Sequence, residues 1–386
     1  MKPNSASPDE PVLGISLTGG GARGSYQAGA LLAVAEIIES LGFPKNPISY
    51  WSGVSAGAIN TCFMASAKAS LLEQAQRLVD LWNTITPSKV YKTDAVSLGR
   101  NSVKWIKDLS FGGKFSKSRA NFLLDTEPLK QYLKENIDFH QIHKNFEAQL
   151  FRGFSVSAYN YSEGKTVSYI IAPPEIGWQK RRRCSQHTKI DEQKVLASCA
   201  IPVLFPTVKV EGEYCADGSF RNLSPVSPLI HMGAKKLLVI GVRGPHELSG
   251  IGLDQPPGIA RISGQILNAL FFDTLDVDIE RIHHINEMLS AIKSDLVTDR
   301  SDYTLVDFQV IRPSHDIAKL VVERNLSHFP TTVEFLLAGL GSKEETSELA
   351  SYILFEKTFT RELLDLGYND VRKDKAAIQH WLTQAT

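Results

Sequence analysis

The sequence predicts an α/β protein, with a mostly parallel central sheet flanked by helices and a largely helical C-terminal region. Two consecutive units near the N-terminus read strand, glycine-bearing turn, helix. Far downstream, 237–242 is a short, fully apolar run of the kind a sheet buries on both faces. The last 130 residues then carry mainly helical spacing.

Residues 12–18 form a strand-like run that opens into Gly19, Gly20, Gly21, Ala22, Arg23 and Gly24. From 25 to about 40, Ala28, Leu31, Leu32, Ala35 and Ile38 fall at helical spacing, and Gly42 followed by Pro44 ends that helix. A second apolar run, 48–54, leads into Ser55, after which 56–81 is again helical. A β-α-β-α order of this kind implies parallel strands with helices packed on the sheet. Between 87 and 121 periodicity fades while glycine and lysine accumulate, the pattern of a long surface excursion, and 124–133 resumes as a helix. The runs 149–157 and 167–171, separated by the turn-rich 159–165, predict an antiparallel pair. A hairpin is expected from 207–210 and 214–216 around Glu211 and Gly212, ending at Asp217 and Gly218. The run 237–242 suits the sheet centre, 259–300 is largely helical, 326–340 mixes strand and helix signals, and 347–366 and 374–383 are helical.

With 42 basic against 42 acidic residues there is no global field, which argues against a nucleic-acid partner. A content of 43% hydrophobic and 22% charged residues is that of an ordinary globular chain. No run of eighteen apolar residues occurs, so nothing is expected to span a bilayer, although binding at its surface stays open. Cys62, Cys184, Cys199 and Cys215 show neither CxxC spacing nor metal-type pairing with histidine and are expected as free thiols. Residues 1–11 are polar, lack the apolar stretch of a secretory signal and read as a loose tail. The expected location is therefore the cytoplasm, peripherally at membranes; export without a signal peptide stays open.

The sharpest local signal is Gly53-Val54-Ser55-Ala56-Gly57, a G-x-S-x-G between an expected strand and an expected helix. A serine on such an elbow is held in a strained conformation with its hydroxyl at the strand end, and flanking glycines avoid clashes. A tight turn with a helix-capping serine is the plainer alternative. In the cluster from Gly19 to Gly24, successive N–H groups at a helix start could hold a developing oxyanion. That cluster also fits a dinucleotide loop, but the next strand ends in Ser55 rather than an acidic residue, and Glu36 and Glu39 lie on the intervening helix. Because parallel strands bring their C-terminal ends to one edge, the two motifs would converge. An α/β-hydrolase using one of the ten histidines as base is the nearest enzyme alternative, yet here the serine follows a single strand. None of the histidines lies in a recognisable strand-end setting, and the stronger candidate base is Asp217, at the end of the expected hairpin, although Asp-Gly is also a common turn dipeptide.

Gly19-Gly20-Gly21-Ala22-Arg23-Gly24, then Gly53-Val54-Ser55-Ala56-Gly57, then Asp217-Gly218-Ser219 match in order and spacing the three marks of the patatin-like phospholipases, which this sequence resembles. The flanks Ser25-Tyr26-Gln27-Ala28-Gly29 and Ala197-Ser198-Cys199-Ala200-Ile201-Pro202 are also similar, and the resemblance extends over 12–228. It implies a three-layer patatin-like fold, with 12–230 as the catalytic domain and 231–386 completing the fold or forming a helical cap. Carried over by position, Ser55 is the nucleophile, Asp217 its base, Gly53 and Gly57 the elbow, and Gly19 to Gly24 the oxyanion loop. Gly218 and Ser219 complete the aspartate motif, with Ser219 where the family usually has Gly or Ala. Arg23 matches the family's basic position, suited to holding the loop or an anionic head group.

The resemblance further implies hydrolysis of phospholipids or other lipid esters through an acyl-enzyme, of phospholipase A or lysophospholipase type, without metal or other cofactor. A catalytically silent lipid-binding scaffold is the alternative, and a protein activator stays open. For a carboxylate with a reference pKa near 3.9 to act as base, desolvation of Asp217 is expected to raise its pKa. Two mixed basic and aromatic stretches suit an anionic membrane surface: 99–122, with Arg100, Lys104, Trp105 and Phe111 among others, and Trp178 with 180–183. Solvated loops with aromatics packed beneath them are the alternative.

Overall fold

The computed structural model describes residues 12–94, 122–220, 226–244, 262, 273–291, 304–324, 329–338 and 342–384. Its strands are β1 (Leu13–Leu17), β2 (Ile48–Val54), β3 (Gly153–Asn160), β4 (Lys165–Ile171), β5 (Arg183–His187), β6 (Val208–Val210), β7 (Glu213–Asp217), β8 (Lys236–Ile240) and β9 (Asp307–Ile311). They form one sheet in the order β5-β4-β3-β2-β1-β8-β9, with β7 also on β3 and β6 on β7. The five strands from β3 to β9 run parallel, whereas β4 and β7 pair antiparallel to β3 and β5 runs with β4. As the apolar run at 237–242 predicts, β8 lies inside the sheet and is buried along its whole length.

Helices cover both faces. The first is α1 (Gly24–Leu41), followed by α2 (Ala56–Ala65), α3 (Leu71–Thr84), α4 (Glu127–Asn136), α5 (Phe139–Glu147) and α6 (Glu192–Ser198). Beyond these come α7 (Ser227–Met232), α8 (Asp273–Ala291), α9 (Ile317–Glu323), α10 (Thr331–Ala338), α11 (Lys343–Ile353), α12 (Lys357–Lys373) and α13 (Lys375–Thr383). The alternation of side chains along β8 separates two cores: Leu238 and Ile240 pack with α1, α2 and α12, while Leu237 and Val239 pack with Leu229 and Met232 of α7 and Leu275 and Ile282 of α8. This is a three-layer arrangement, helices on sheet on helices.

The C-terminal helices reach the N-terminal unit by close backbone approach. A Cβ at Gly29 of α1 would run into the Leu364 carbonyl of α12, and one at Gly367 of α12 into the Tyr26 carbonyl of α1. Helix α1 is therefore buried on nearly every side over its first three turns, which requires its Ala-, Gly- and Leu-rich composition. At the other end, the buried Lys236 Nζ donates to the Gln384 carbonyl at 2.7 Å and sits 4.8 Å from the centre of the Trp381 ring, fixing α13 beneath β8.

The expected antiparallel pair is β3 and β4, and the expected hairpin is β6 and β7, turning through Glu211 and Gly212, both at positive φ. The helix expected over 56–81 is two helices. Ser70 caps α3 by accepting from the Glu73 N–H, and the Glu73 carboxylate accepts from the Ser70 N–H in return, so the chain restarts there. The sequence reading did not anticipate β5, β9, α5, α6, α7 or α9. Strands β5 and β9 are edge strands with mostly half-exposed residues and little apolar alternation. Most of the surface excursion, 95–121, lies outside the described residues, after one helical turn at Pro87–Val90. No helix among the described residues is long and apolar enough to cross a membrane.

Candidate active site

Ser55 and Asp217 meet because two strands share one edge of β3. On that edge β2 pairs with the first part of β3, ending at Val54 beside Ser157, and β7 takes up the remainder from the opposite direction, with Asp217 beside Ala158. The other edge of β3 is occupied throughout by β4. The end of β2 and the end of β7 therefore face each other, and Ser55 and Asp217 are 162 residues apart in sequence.

Ser55 has φ 54° and ψ −127°, a strained conformation for a residue with a side chain. Its hydroxyl makes no capping hydrogen bond to α2, so the helix-capping alternative does not hold. The flanking glycines follow from sterics. A Cβ at Gly53 would collide with Thr61 Oγ1 and the Gly57 carbonyl, and one at Gly57 with the Leu17 carbonyl. Gly218 is forced likewise, since a Cβ there would strike the Ser157 carbonyl.

Asp217 is fully buried, and its N–H donates to the Ala200 carbonyl at 2.9 Å. Its Oδ1 accepts from the Ser219 N–H at 2.8 Å, while Oδ2 has no hydrogen-bond partner among the described residues. Burial pushes the carboxyl up to about 7, against the Ser55 hydroxyl and the Ser219 N–H and hydroxyl, which favour the charged form. Ser55 is thus near enough to act on the carboxylate, although no well-aligned hydrogen bond joins them. The hydroxyl that sets Ser219 apart from Gly or Ala faces this carboxylate.

The glycine loop runs from β1 into α1 beside the elbow, following the parallel register Leu17 to Gly53. Gly24 packs on Ala56, where a Cβ would lie 2.7 Å from that of the alanine. Gly21 has φ 57° and faces the Tyr352 carbonyl of α11, so it is required by backbone and by packing, whereas Gly20 is required by packing alone, against Val242. The N–H groups of Arg23 and Gly24 are engaged inside the turn, with carbonyls of Gly20 and of Gly21 and Ala22. Among the described residues no acceptor meets the N–H of Gly20, Gly21 or Ala22, the amides expected around the oxyanion. Beneath the loop, Gln27 Nε2 donates to the carbonyls of Thr18 and Ile240, Asn60 Nδ2 donates to Gln27 Oε1 and the Gly24 carbonyl, and Trp82 Nε1 donates to Asn60 Oδ1.

The two roles expected of Arg23 are holding the loop and holding an anionic head group. Its side chain is buried and directed into α11, away from any head group at the surface. Sequence reasoning assigned no role to Ser198, whose Oγ accepts from the Ser55 N–H at 2.8 Å and donates to the Ser157 carbonyl at 2.7 Å. Its place next to Cys199-Ala200, just ahead of the aspartate hairpin, was the available signal. Glu36, considered for a dinucleotide site, accepts from the Tyr368 hydroxyl at 2.9 Å and serves helix packing. Several histidines have partners elsewhere: His143 accepts from the Ile190 N–H, His231 stacks on Trp178, and His283 packs on Phe308. Trp178 is buried against His231, so in that stretch the aromatic packs beneath its loop; Lys180 to Arg182 are exposed at the tip. The other basic stretch lies outside the described residues apart from Phe122.

Among the described residues, no group of three or more His, Cys, Asp or Glu side chains could hold a metal ion. A cavity of about 1630 Å³ lies at the opposite end of β2, lined by Ser49, Tyr50, Phe151 and Met232 among others, and does not include Ser55 or Asp217.

No curated protein matches the chain in sequence. Solved structures that resemble it include VipD from Legionella pneumophila, at 14% identity and a TM-score of 0.34, covering 92% of this chain and 67% of that one. Human GIVD cytosolic phospholipase A2 aligns at 12% identity and a TM-score of 0.46, covering 99% of this chain and 61% of that one. ExoU from Pseudomonas aeruginosa, in its complex with SpcU, aligns at 15% identity and a TM-score of 0.30, covering 96% of this chain and 77% of that one. The chain therefore spans about three fifths of the human enzyme's length. The patatin-like phospholipase family model matches residues 15–230, more than half of the sequence and all three motifs, and the chain belongs to that family.

Proposed function

We propose that the protein hydrolyses fatty-acyl esters of phospholipids or lysophospholipids through a dyad of Ser55 and Asp217. The observation that carries this reading is the buried Asp217, raised to about 7 with Oδ2 unpartnered, at the strained Ser55 elbow. A carboxylate near neutrality can accept a serine proton at physiological pH, which an ordinary one near 3.9 does poorly.

In this mechanism Ser55 Oγ attacks the ester carbonyl carbon and its proton passes to Asp217 Oδ2. The negative charge moves to the carbonyl oxygen, where the N–H groups of Gly20, Gly21 and Ala22 receive it. Collapse breaks the ester bond, the departing alcohol takes the proton from Asp217, and the acyl group stays on Ser55. Water then attacks the acyl-enzyme with Asp217 again as base, releasing the fatty acid and restoring the serine. Ser198 holds the Ser55 N–H throughout, and Ser219 holds the carboxylate.

An anionic bilayer is the proposed surface on which this happens. Lys180, Arg181 and Arg182 form the exposed tip of a tight turn closed by the Lys180 N–H to the Arg183 carbonyl. Since β5 starts at the edge where β2 ends, that tip lies at the same end of the sheet as Ser55, three strands and roughly 14 Å across. Basic tips of this kind gain about 1 kcal/mol per residue at an anionic surface. The test is fatty-acid release from mixed phospholipid vesicles by the wild type, Ser55→Ala and Asp217→Asn, with a loss of about 10⁴- to 10⁶-fold expected in the variants. Equal activity of Ser55→Ala and wild type would sink the dyad, and vesicle binding indifferent to Lys/Arg→Glu changes at 180–182 would sink the surface.

A further inference from the structure

We infer that α11, in the C-terminal region, is a positioning element for the oxyanion loop, acting through a clamp of Glu348 and Ser351 on Arg23. The inference rests on the Ser55–Asp217 reading and adds to it a part of the chain beyond the family match. Arg23 follows directly on Ala22, the last loop residue whose N–H meets no acceptor among the described residues, and its own N–H closes the turn to the Gly20 carbonyl at 3.1 Å. Its side chain is only 3% exposed. Nε donates to Ser351 Oγ at 2.8 Å, and Nη2 donates to Glu348 Oε1 at 2.6 Å and to Ser351 Oγ at 2.5 Å.

The serine is oriented for this task. Its hydroxyl proton is given to the Glu348 carbonyl at 2.6 Å, leaving Oγ to accept from the guanidinium. One residue on, the Tyr352 ring lies 4.6 Å from the Arg23 guanidinium carbon, and the Tyr352 carbonyl abuts Gly21. A single turn of α11 therefore holds the loop by a charged pair, a hydroxyl, a ring face and a backbone contact. Burial by itself would lower the Arg23 pKa, and Glu348, Tyr352 and Asp316 together more than offset it, so the cation is held in place. Buried arginines released from such a pair relocate, because an unpaired charge in the interior is costly.

Oxyanion donors act only when aimed at the developing charge, and a misplacement of about 1 Å costs on the order of 10²-fold in rate. Releasing Arg23 should therefore lower turnover while leaving substrate binding intact. The experiment compares wild type, Glu348→Gln, Ser351→Ala and Arg23→Lys on a soluble monoacyl ester without phosphate and on a phospholipid, with active sites counted by a fluorophosphonate. The expected result is a roughly 10- to 100-fold fall in kcat per titrated site on both substrates, at unchanged KM. A change confined to the titratable fraction would mean that the contacts serve folding alone, and a rise in KM confined to the phospholipid would make Arg23 a head-group ligand. Either outcome overturns the clamp. Should Arg23→Lys fail to fold, the two α11 variants carry the test. If the wild type neither hydrolyses either ester nor reacts with the fluorophosphonate, the dyad reading fails and the clamp with it, whereas an active wild type with unaltered variants overturns the clamp alone.

Discussion

The most exposed consequence of the site is the pH dependence of the reaction, because it follows from one buried carboxyl. Burial raises Asp217 to about 7, and only the ionised form can take the Ser55 proton. With a pKa of about 7, the ionised fraction falls tenfold per pH unit below neutrality, to about 1% at pH 5. An exposed carboxylate near 3.9 would still be more than about 90% ionised there. The expected profile of kcat/KM thus has an acid limb bending near 7 and an activity at pH 5 about 100-fold below the plateau. The assay is fatty-acid release from a soluble short-chain ester, quenched and extracted so that detection is independent of pH. Using a monomeric substrate keeps changes in vesicle binding out of the result. A profile flat down to pH 5, or a limb bending near 4, would refute either the role of Asp217 as base or its desolvation in the working enzyme.

The same carboxyl bears on stability. Its folded pKa lies above the unfolded value of about 3.9, so the folded state binds the proton more tightly, and stability falls as pH rises from about 4 to 7, by up to about 4 kcal/mol in all. Asp217→Asn should lack that slope, giving a difference from wild type in urea unfolding that grows between pH 4 and 8; parallel curves would contradict it. Ser198→Ala leaves the Ser55 N–H and the Ser157 carbonyl without their partner, and should cost about 1–3 kcal/mol and slow fluorophosphonate labelling. An unchanged labelling rate would remove Ser198 from the support of the elbow. Gly29→Ala, with a Cβ directed into the Leu364 carbonyl, should lower thermal stability more than Gly42→Ala, where φ is 64° but the space is open. The reverse ranking would show that α1 and α12 are not packed through their glycines.

Much of this protein is written locally. The elbow, the glycine loop and the Asp-Gly turn each depend on what neighbouring residues in the chain permit sterically, so Gly53, Ser55, Gly57, Asp217 and Gly218 were legible as a set. The strands β1, β2 and β8 were legible because burial on both faces demands continuous apolar runs. Edge strands β5 and β9 carry no such demand and escaped notice, and the capping box at Ser70 was a readable signal passed over. Contacts between distant segments leave no comparable trace. Nothing around Arg23 indicates that its partners are Glu348 and Ser351, and nothing around Gly21 indicates that the Tyr352 carbonyl lies against it. The identity and order of the chemical groups were thus determined by the sequence, since motif sterics act over a few residues. The end-to-end meeting of β2 and β7, the neutral-range pKa of Asp217 and the clamp from α11 were decided by tertiary structure, because burial and opposed strand ends arise only when segments remote in the chain pack together.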